Sequence, residues 1–245
     1  RCFAPGGAKV TFGSGSSALL NIGHEKHLSA RGSVTALAWV LRGQPTYAFE
    51  GIINFTGAIL AWLRDQMQLI TNPTETEALA LSVSSSDGVY FIPAFVGLSA
   101  PYWRADARAA IMGMTPATTR AHIVRAALES IAYIVTDVLK DMSEEAGVEL
   151  GTIHADGGAV RNAFLMQFVA DMNQLRLRAA QTPELSALGA VFSGGLGLEI
   201  YDSLNDLQEL PFDFVEYTSV MDPVRANSLF VGWQAAVQQF LYRPI

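Results

Sequence analysis

The sequence predicts one large α/β domain, and three observations carry that reading. Its 245 residues are half apolar and only 16 % charged, enough to bury a core without disulfides or metals and far from the composition of a disordered chain. Strand-like and helix-like segments follow one another in mixed order, with no internal repeat of the kind that builds solenoids or propellers. Thr152 to Ala155 reads as a strand leading through Asp156-Gly157-Gly158 into a helix that carries Phe164, Leu165 and Phe168. Strand, glycine turn and helix in that order are typical of nucleotide-contacting α/β folds.

Taken in order, Lys9 to Phe12 and Ala18 to Ile22 flank Gly13-Ser14-Gly15 as a hairpin with a glycine-built turn, and a second strand pair is expected around Ser33 to Leu41. From Phe55 onward Ile59, Trp62, Leu63 and Met67 recur at helical spacing, and Asn72-Pro73 ends that helix before Thr74 restarts the chain. A turn cluster at Ser84 to Gly88 precedes a short strand, Val89 to Ile92, which Pro93 stops; an irregular passage runs on to Ile111. The longest helix spans Thr119 to Glu145, with Ile123, Ala127, Ile131, Ile134 and Val138 on its buried face and Gly147 as its stop. Pro183 to Leu198 gives a further helix and Leu229 to Phe240 the last. The Gly-rich stretch Leu188 to Ile200 is too short and too interrupted to span a bilayer and is expected to be a buried helix.

The net charge is −7 and the basic residues are scattered, which argues against nucleic-acid binding; no apolar run argues for a membrane span. Any anionic ligand therefore needs local donors, such as backbone amides or helix ends. Cys2 is the only cysteine, so no intrachain disulfide or cysteine-based zinc site can form, and a reducing, cytoplasmic setting fits best. The opening Arg1-Cys2-Phe3-Ala4-Pro5-Gly6-Gly7 lacks an initiator Met and the pattern of a signal peptide, and reads as a cut inside a longer protein.

Among chemistry-bearing motifs, no Walker P-loop, G-x-x-x-x-G-K-[ST], occurs. In Gly13-Ser14-Gly15 the glycines allow a sharp turn that presents amides to an anion, with the Ser14 hydroxyl as one more donor; a plain tight turn satisfies the same pattern. In Asp156-Gly157-Gly158-Ala159 the missing side chains admit either a flat ring or a phosphate to the backbone, or simply allow close helix–strand packing. Asn162 lies one turn beyond Gly158, within reach of a ligand resting there, and Gly57 with Ala58 opens another helix by the same logic. His24 and His27 lack zinc-protease spacing and read as a solvated turn; Asp137, Asp141, Glu144 and Glu145 read as a solvated helix face; Tyr102 and Trp103 read as loop packing.

These motifs coincide with a family pattern. Ala109-Ala110-Ile111-Met112-Gly113-Met114 followed by His122-Ile123-Val124-Arg125-Ala126-Ala127-Leu128-Glu129-Ser130 resembles the C-terminal signature of the FGGY carbohydrate kinases. Pro93 to Trp103, Gly7-Ala8-Lys9, Tyr47-Ala48-Phe49-Glu50-Gly51, Trp62-Leu63-Arg64-Asp65 and Asp156-Gly157-Gly158-Ala159-Val160 are similar to the glycerol-kinase branch. The resemblance implies a ribonuclease H-like, actin-like ATPase domain with a mixed sheet flanked by helices. Residues 1–245 would be the C-terminal, nucleotide-binding domain, the N-terminal sugar-binding domain lying outside this chain.

The resemblance further implies ATP and Mg2+ as cofactors and a polyol or sugar as small-molecule partner, most simply glycerol, with another polyol or ketose, or a non-catalytic module, as alternatives; homo-oligomers are common in the family. Ser14, with Gly13 and Gly15, falls on the phosphate loop, where the family usually has Thr, and Gly57, Gly158 and Asn162 fall on nucleotide-contacting positions. Three departures stand out. Ala61 replaces an adenine-side Gln. Ser17 replaces a Phe that glycerol kinases set against the substrate, leaving space for something larger or more polar. No Asp precedes Gly7, so the family's catalytic Asp lies upstream of Arg1.

Overall fold

The computed structural model describes residues 2–182 and 184–242; Arg1, and Pro183 at the expected start of a helix, lie outside the described residues. β1 (Ala8–Phe12) and β2 (Ser16–Gly23) form the expected hairpin, with Phe12 opposite Ser16 across the glycine turn. Alternation sets the faces: Ala8, Val10 and Phe12 point into the core, while Lys9 and Thr11 face the other way. The strand pair expected around Ser33 to Leu41 is displaced: β3 (Val34–Leu41) fills that stretch alone, and its partner β4 (Gln44–Ile53) is a long strand beyond it.

α1 (Gly57–Asp65) stops earlier than its apolar spacing suggests, because Gln68 turns left-handed at φ 53° and leaves Met67 exposed outside the stripe. A short helix, α2 (Glu75–Leu81), follows at the expected restart. β5 (Tyr90–Ile92) pairs with β6 (Ala110–Met112), which closes the irregular passage.

α3 (Arg120–Ala146) is the expected long helix. The Thr119 amide donates to His122 Nδ1 at 3.0 Å to open it, and Gly147 ends it in the left-handed conformation at φ 62°. Its apolar spacing predicts one buried face, yet it is buried almost all round from Val124 to Leu139, because it lies between the sheet and a layer made by α2, β5 and α4 (Ala163–Asn173). Gly51 permits this fit: a Cβ there would lie 2.2 Å from Val138 Cγ1.

β7 (Ile153–Asp156), β8 (Leu177–Ala180) and β9 (Phe214–Tyr217) complete a seven-stranded mixed sheet of order β3-β4-β2-β1-β7-β8-β9, in which β1, β7 and β8 run parallel. α5 (Leu185–Gly197) lies on the sheet face opposite α3, above a cavity of about 260 Å³ whose lining includes Phe3, Leu188, Phe192 and Phe214. The expectation of a buried helix from Leu188 to Ile200 fails: only Gly195 of α5 is buried, and Val191, Leu198 and Ile200 are exposed. High apolar content selects burial only when an element packs over the helix, and here the sheet covers one side alone. α6 (Leu204–Glu209) and α7 (Pro223–Leu241) follow, the latter starting earlier than expected because the Asp222 carboxylate caps Val224 and Arg225 and Pro223 opens the first turn.

The expected solvated carboxylate face of α3 needs one correction. Asp137 is buried, and its Oδ2 accepts from the Tyr102 hydroxyl at 2.6 Å and from Trp233 Nε1 at 2.7 Å, tying α7 and the Pro93–Trp103 loop to α3. Glu145 is also engaged, accepting from the Ser29 hydroxyl at 2.6 Å and from the Ala30 and Arg31 amides.

Burial pushes the Asp137 carboxyl above the ordinary carboxylate range, against the pull of its two donors. The folded chain therefore holds that proton more tightly than the unfolded chain does. This group's contribution to stability falls as pH rises from the unfolded carboxylate range through the raised folded value. Urea unfolding at several pH values checks this: Asp137→Asn removes that fall relative to the parent, whereas Asp137→Ala, which strands both donors, costs about 2–4 kcal/mol at neutral pH.

Candidate functional site

Three glycine-containing turns meet at one end of the sheet. β1 and β7 are adjacent and parallel, with Thr11 beside Asp156, so Gly13-Ser14-Gly15 and Gly157-Gly158 emerge side by side at the carboxyl ends of these strands. The start of α1 closes onto the first turn: Gly57 N donates to Gly13 O at 3.0 Å, and Thr56 N and Ala58 N donate to Ser14 O at 2.9 and 3.0 Å. The Thr56 hydroxyl, buried, donates to Gly13 O and accepts from the Ser16 hydroxyl, each at 3.0 Å. Sequence reading missed Thr56, and a lone Thr before a helix gives no sign of this bridging role.

The glycines of these turns differ in what they are for. A Cβ on Gly15 would lie 2.5 Å from Ile53 O, on Gly57 2.6 Å from Gly13 O, and on Gly157 2.4 Å from Phe12 O; Gly157 also sits at φ 96°. These three glycines are required by the close approach of backbones that brings the turns together. Gly158 is different: a Cβ there meets nothing within 4 Å, so the fold itself asks for no glycine at this position. The space above it is open.

Hydrogen bonding separates the two sides of the site further. The carbonyls of Gly13 and Ser14 point at α1 and satisfy its first amides, so the start of α1 offers no free donors there. The amides of Ser14 and Gly15 and the Ser14 hydroxyl enter no turn, loop or cap bond among the described residues, which leaves them as donors for an anion at the tip.

At the second turn, Gly158–Arg161 forms a 3-10 turn before α4 begins. Asn162 caps α4, its Oδ1 accepting from Leu165 N at 2.9 Å and its Nδ2 donating to the Thr76 hydroxyl at 3.1 Å; Glu77 Oε2 accepts from Ala163 N at 2.6 Å. Two amides at the start of α4 are thus capped and the helix end already faces a carboxylate, which disfavours a phosphate at that end. α2 supplies Thr76 and Glu77, and Arg125 holds α2 to α3 through Ala80 O and Val83 O while paired with the buried Glu129 at 2.7 Å. Neither role was visible while α2 itself went unassigned.

Ala61 lies one turn after Gly57 on α1 and presents only a methyl group. Ser17 faces the open side of the sheet and donates to Glu50 Oε1 at 2.7 Å. Lys9 Nζ lies 3.2 Å from Asp156 Oδ2 across the β1–β7 pair, and Asp156 Oδ1 is buried without a partner. Among the described residues no group of three or more His, Cys, Asp or Glu side chains forms a metal cage, and no helix is long and apolar enough to cross a membrane. The apolar cavity beneath α5 touches Asp156 but none of the three turns, which together form an open shelf.

Comparison with known proteins gives a consistent result. The family model for the FGGY family of carbohydrate kinases, C-terminal domain, matches residues 8–198. A glycerol kinase of Shewanella frigidimarina (strain NCIMB 400) is 44 % identical over 238 residues, covering 97 % of this chain and 48 % of its own length. One of Bacillus cytotoxicus (strain DSM 22905 / CIP 110041 / 391-98 / NVH 391-98) is 41 % identical over 237 residues, covering 97 % and 48 %.

Among solved structures, Plasmodium falciparum glycerol kinase with ADP superposes at a TM-score of 0.93 with 35 % identity, covering 99 % of this chain and 49 % of that one. A xylulose kinase from Rhodospirillum rubrum, at 0.82 and 22 % identity over 97 % and 48 %, shares the fold alone. The fold is the actin-like, ribonuclease H-like one. The chain spans about half the length of the curated relatives it matches.

The two neighbouring glycines give a direct test of this anatomy by thermal or urea unfolding. Gly157→Ala, forced against Phe12 O at positive φ, should lose about 2 kcal/mol or more. Gly158→Ala should stay within about 0.5 kcal/mol of the parent.

Proposed function

The chain belongs to the FGGY family of carbohydrate kinases, and on that premise we propose that it forms the nucleotide-binding half of an ATP-dependent enzyme, of the glycerol-kinase kind, that phosphorylates a hydroxyl of a polyol or sugar. The observation that carries the reading is Gly158: a glycine the fold does not require, facing open space, beside a turn whose Ser14 and Gly15 amides are unused among the described residues. The adenine side of ATP rests over Gly158, with Asn162 fixing the start of α4 behind it. The phosphates lie along Gly13-Ser14-Gly15 and take the Ser14 hydroxyl and the free amides as donors. Gly57 acts by letting α1 approach the turn closely enough to orient it.

Phosphoryl transfer asks little covalent work of a protein; it asks for charge neutralisation, an oriented acceptor hydroxyl and exclusion of water. With no cage of acidic or histidine ligands among the described residues, Mg2+ fits here as an ion carried on the phosphates and their waters. Bound so, it neutralises charge on the transferring group. The acceptor's main contacts, and the carboxylate that takes its proton, belong in this reading to the part of the relatives' length that the chain does not span, and the setting is the cytoplasm. Ala61 favours a second reading, a non-catalytic module that keeps the fold without the nucleotide.

Calorimetry with ATP and Mg2+, together with a kinase assay over glycerol, other polyols and ketoses, tests these statements. The chain alone should bind nucleotide weakly and transfer nothing, and Gly158→Leu should abolish binding while leaving the unfolding midpoint in place. Unchanged affinity in Gly158→Leu removes the ring from that position, and substantial turnover by the chain alone overturns the placement of the proton acceptor elsewhere. Failure of the full-length protein to bind any nucleotide promotes the non-catalytic module.

A further inference from the structure

Ser17 and Glu50 form a polar pair on the open face of the sheet, directly below the turn that carries Ser14. β2 alternates from the turn outward: Ser16 points to the core, where it meets Thr56, and Ser17 is the first side chain on the open side. Opposite Ser17 stands Ile52, itself 40 % exposed, and Glu50 lies two residues along on the same face of β4, so the 2.7 Å bond is a diagonal cross-strand contact. Gly51 between them faces Val138 of α3, which confirms that Glu50 and Ile52 point away from the core. Ser17 engages Oε1, and Glu50 Oε2 has no partner among the described residues. The fold has no evident structural use for this carboxylate.

The position matters because an acceptor must place its hydroxyl within about 3–3.5 Å of the phosphorus it attacks. With the phosphates at the turn tip, the remainder of the acceptor extends over the first open-face side chains beneath it. Resting on the kinase reading above, we infer that the Ser17–Glu50 pair is a specificity determinant: Glu50 accepts hydrogen bonds from further hydroxyls of a neutral polyol or ketose and repels anionic sugar acids. A carboxylate is an acceptor only, so it rewards hydroxyl donors; a second carboxylate close to it is opposed by like charge. Ser17, by fixing Oε1, aims Oε2 outward. A bulky apolar side chain at position 17 would remove that aim and cover the polar surface.

The experiment uses the full-length protein with glycerol, erythritol, xylulose and gluconate as acceptors, reading kcat and KM separately, with ATP affinity and Tm as controls. The parent should phosphorylate neutral acceptors and show at least a hundredfold lower kcat/KM on gluconate. Glu50→Gln, which keeps shape and loses charge, should narrow that ratio at least tenfold, mainly through KM, with ATP affinity and Tm unchanged. Ser17→Phe should shift preference among the neutral acceptors toward glycerol.

An active Glu50→Gln enzyme with an unchanged neutral-to-anionic ratio overturns the inference and leaves the kinase reading standing. If Glu50→Gln folds poorly, Glu50→Ala provides the same comparison, since it also removes the charge, and an unchanged neutral-to-anionic ratio there is equally fatal. Absence of turnover on every acceptor by the parent brings down the kinase reading and this inference with it.

Discussion

The close approach of backbones at the carboxyl ends of β1 and β7 is the constraint on which the rest of the site depends. Gly157 lies so near Phe12 O, and Gly57 so near Gly13 O, that a single methyl group at either position would wedge the turns apart. This contact is made by main chain alone, so it tolerates variation in side chains nearby while fixing the positions of three separate segments. The first turn and the start of α1 are bonded to each other through carbonyls and amides, with the Thr56 hydroxyl buried at the junction, while Gly157 meets β1 by close packing against Phe12 O.

From that contact follows a division of donors. The start of a helix is an obvious place for an anion, and both α1 and α4 present one near the shelf. Yet α1 delivers its first amides to the carbonyls of the glycine turn, and α4 delivers its own to Asn162 and Glu77. Among the described residues the amides of Ser14 and Gly15 at the β1–β2 turn, and those of Gly158, Ala159 and Phe164 at the second turn and the start of α4, enter no turn, loop or cap bond. Both ends of the shelf thus keep main-chain donors, with no charged side chain required. An acidic protein with scattered basic residues can in this way offer a local anion site.

The sequence made some of this legible and hid the rest for identifiable reasons. The hairpin, α3 and the β7 to α4 passage each carry a local signal: a glycine turn between alternating residues, a 3.6-residue period ended by Gly147, a strand running into Gly157-Gly158. β8 and β9 carry none, being short strands whose pairing comes from neighbours far along the chain. Asp137 looked like its neighbours Asp141 and Glu144, and only Trp233 and Tyr102, distant in sequence, distinguish it. At the site, Ser14, Gly57, Gly158 and Asn162 were all marked, but nothing local could tell a glycine needed for packing from one the packing leaves free. That difference lives entirely in three-dimensional clearance, 2.4 Å at Gly157 against open space at Gly158.

The two faces of the sheet differ in a way that bears on how such a half would work. The α3 face is covered and largely apolar, and buries the middle of its helix almost all round. On the other face Thr11, Ser17 and Glu50 are grouped beneath the turn, with Val34 of β3 opposite Glu50 and Val191 on α5 exposed farther out. Transfer of a phosphoryl group to an alcohol in preference to water requires that the region under the turn be dry when the groups meet. An open shelf does not exclude water, whereas the clearance above Gly158 admits contact from one side alone. Nucleotide binding and transfer are thus separable demands on this architecture. On the reading proposed above, the first is met by main-chain donors and a bare glycine; the second needs the open face to be covered at the moment of reaction.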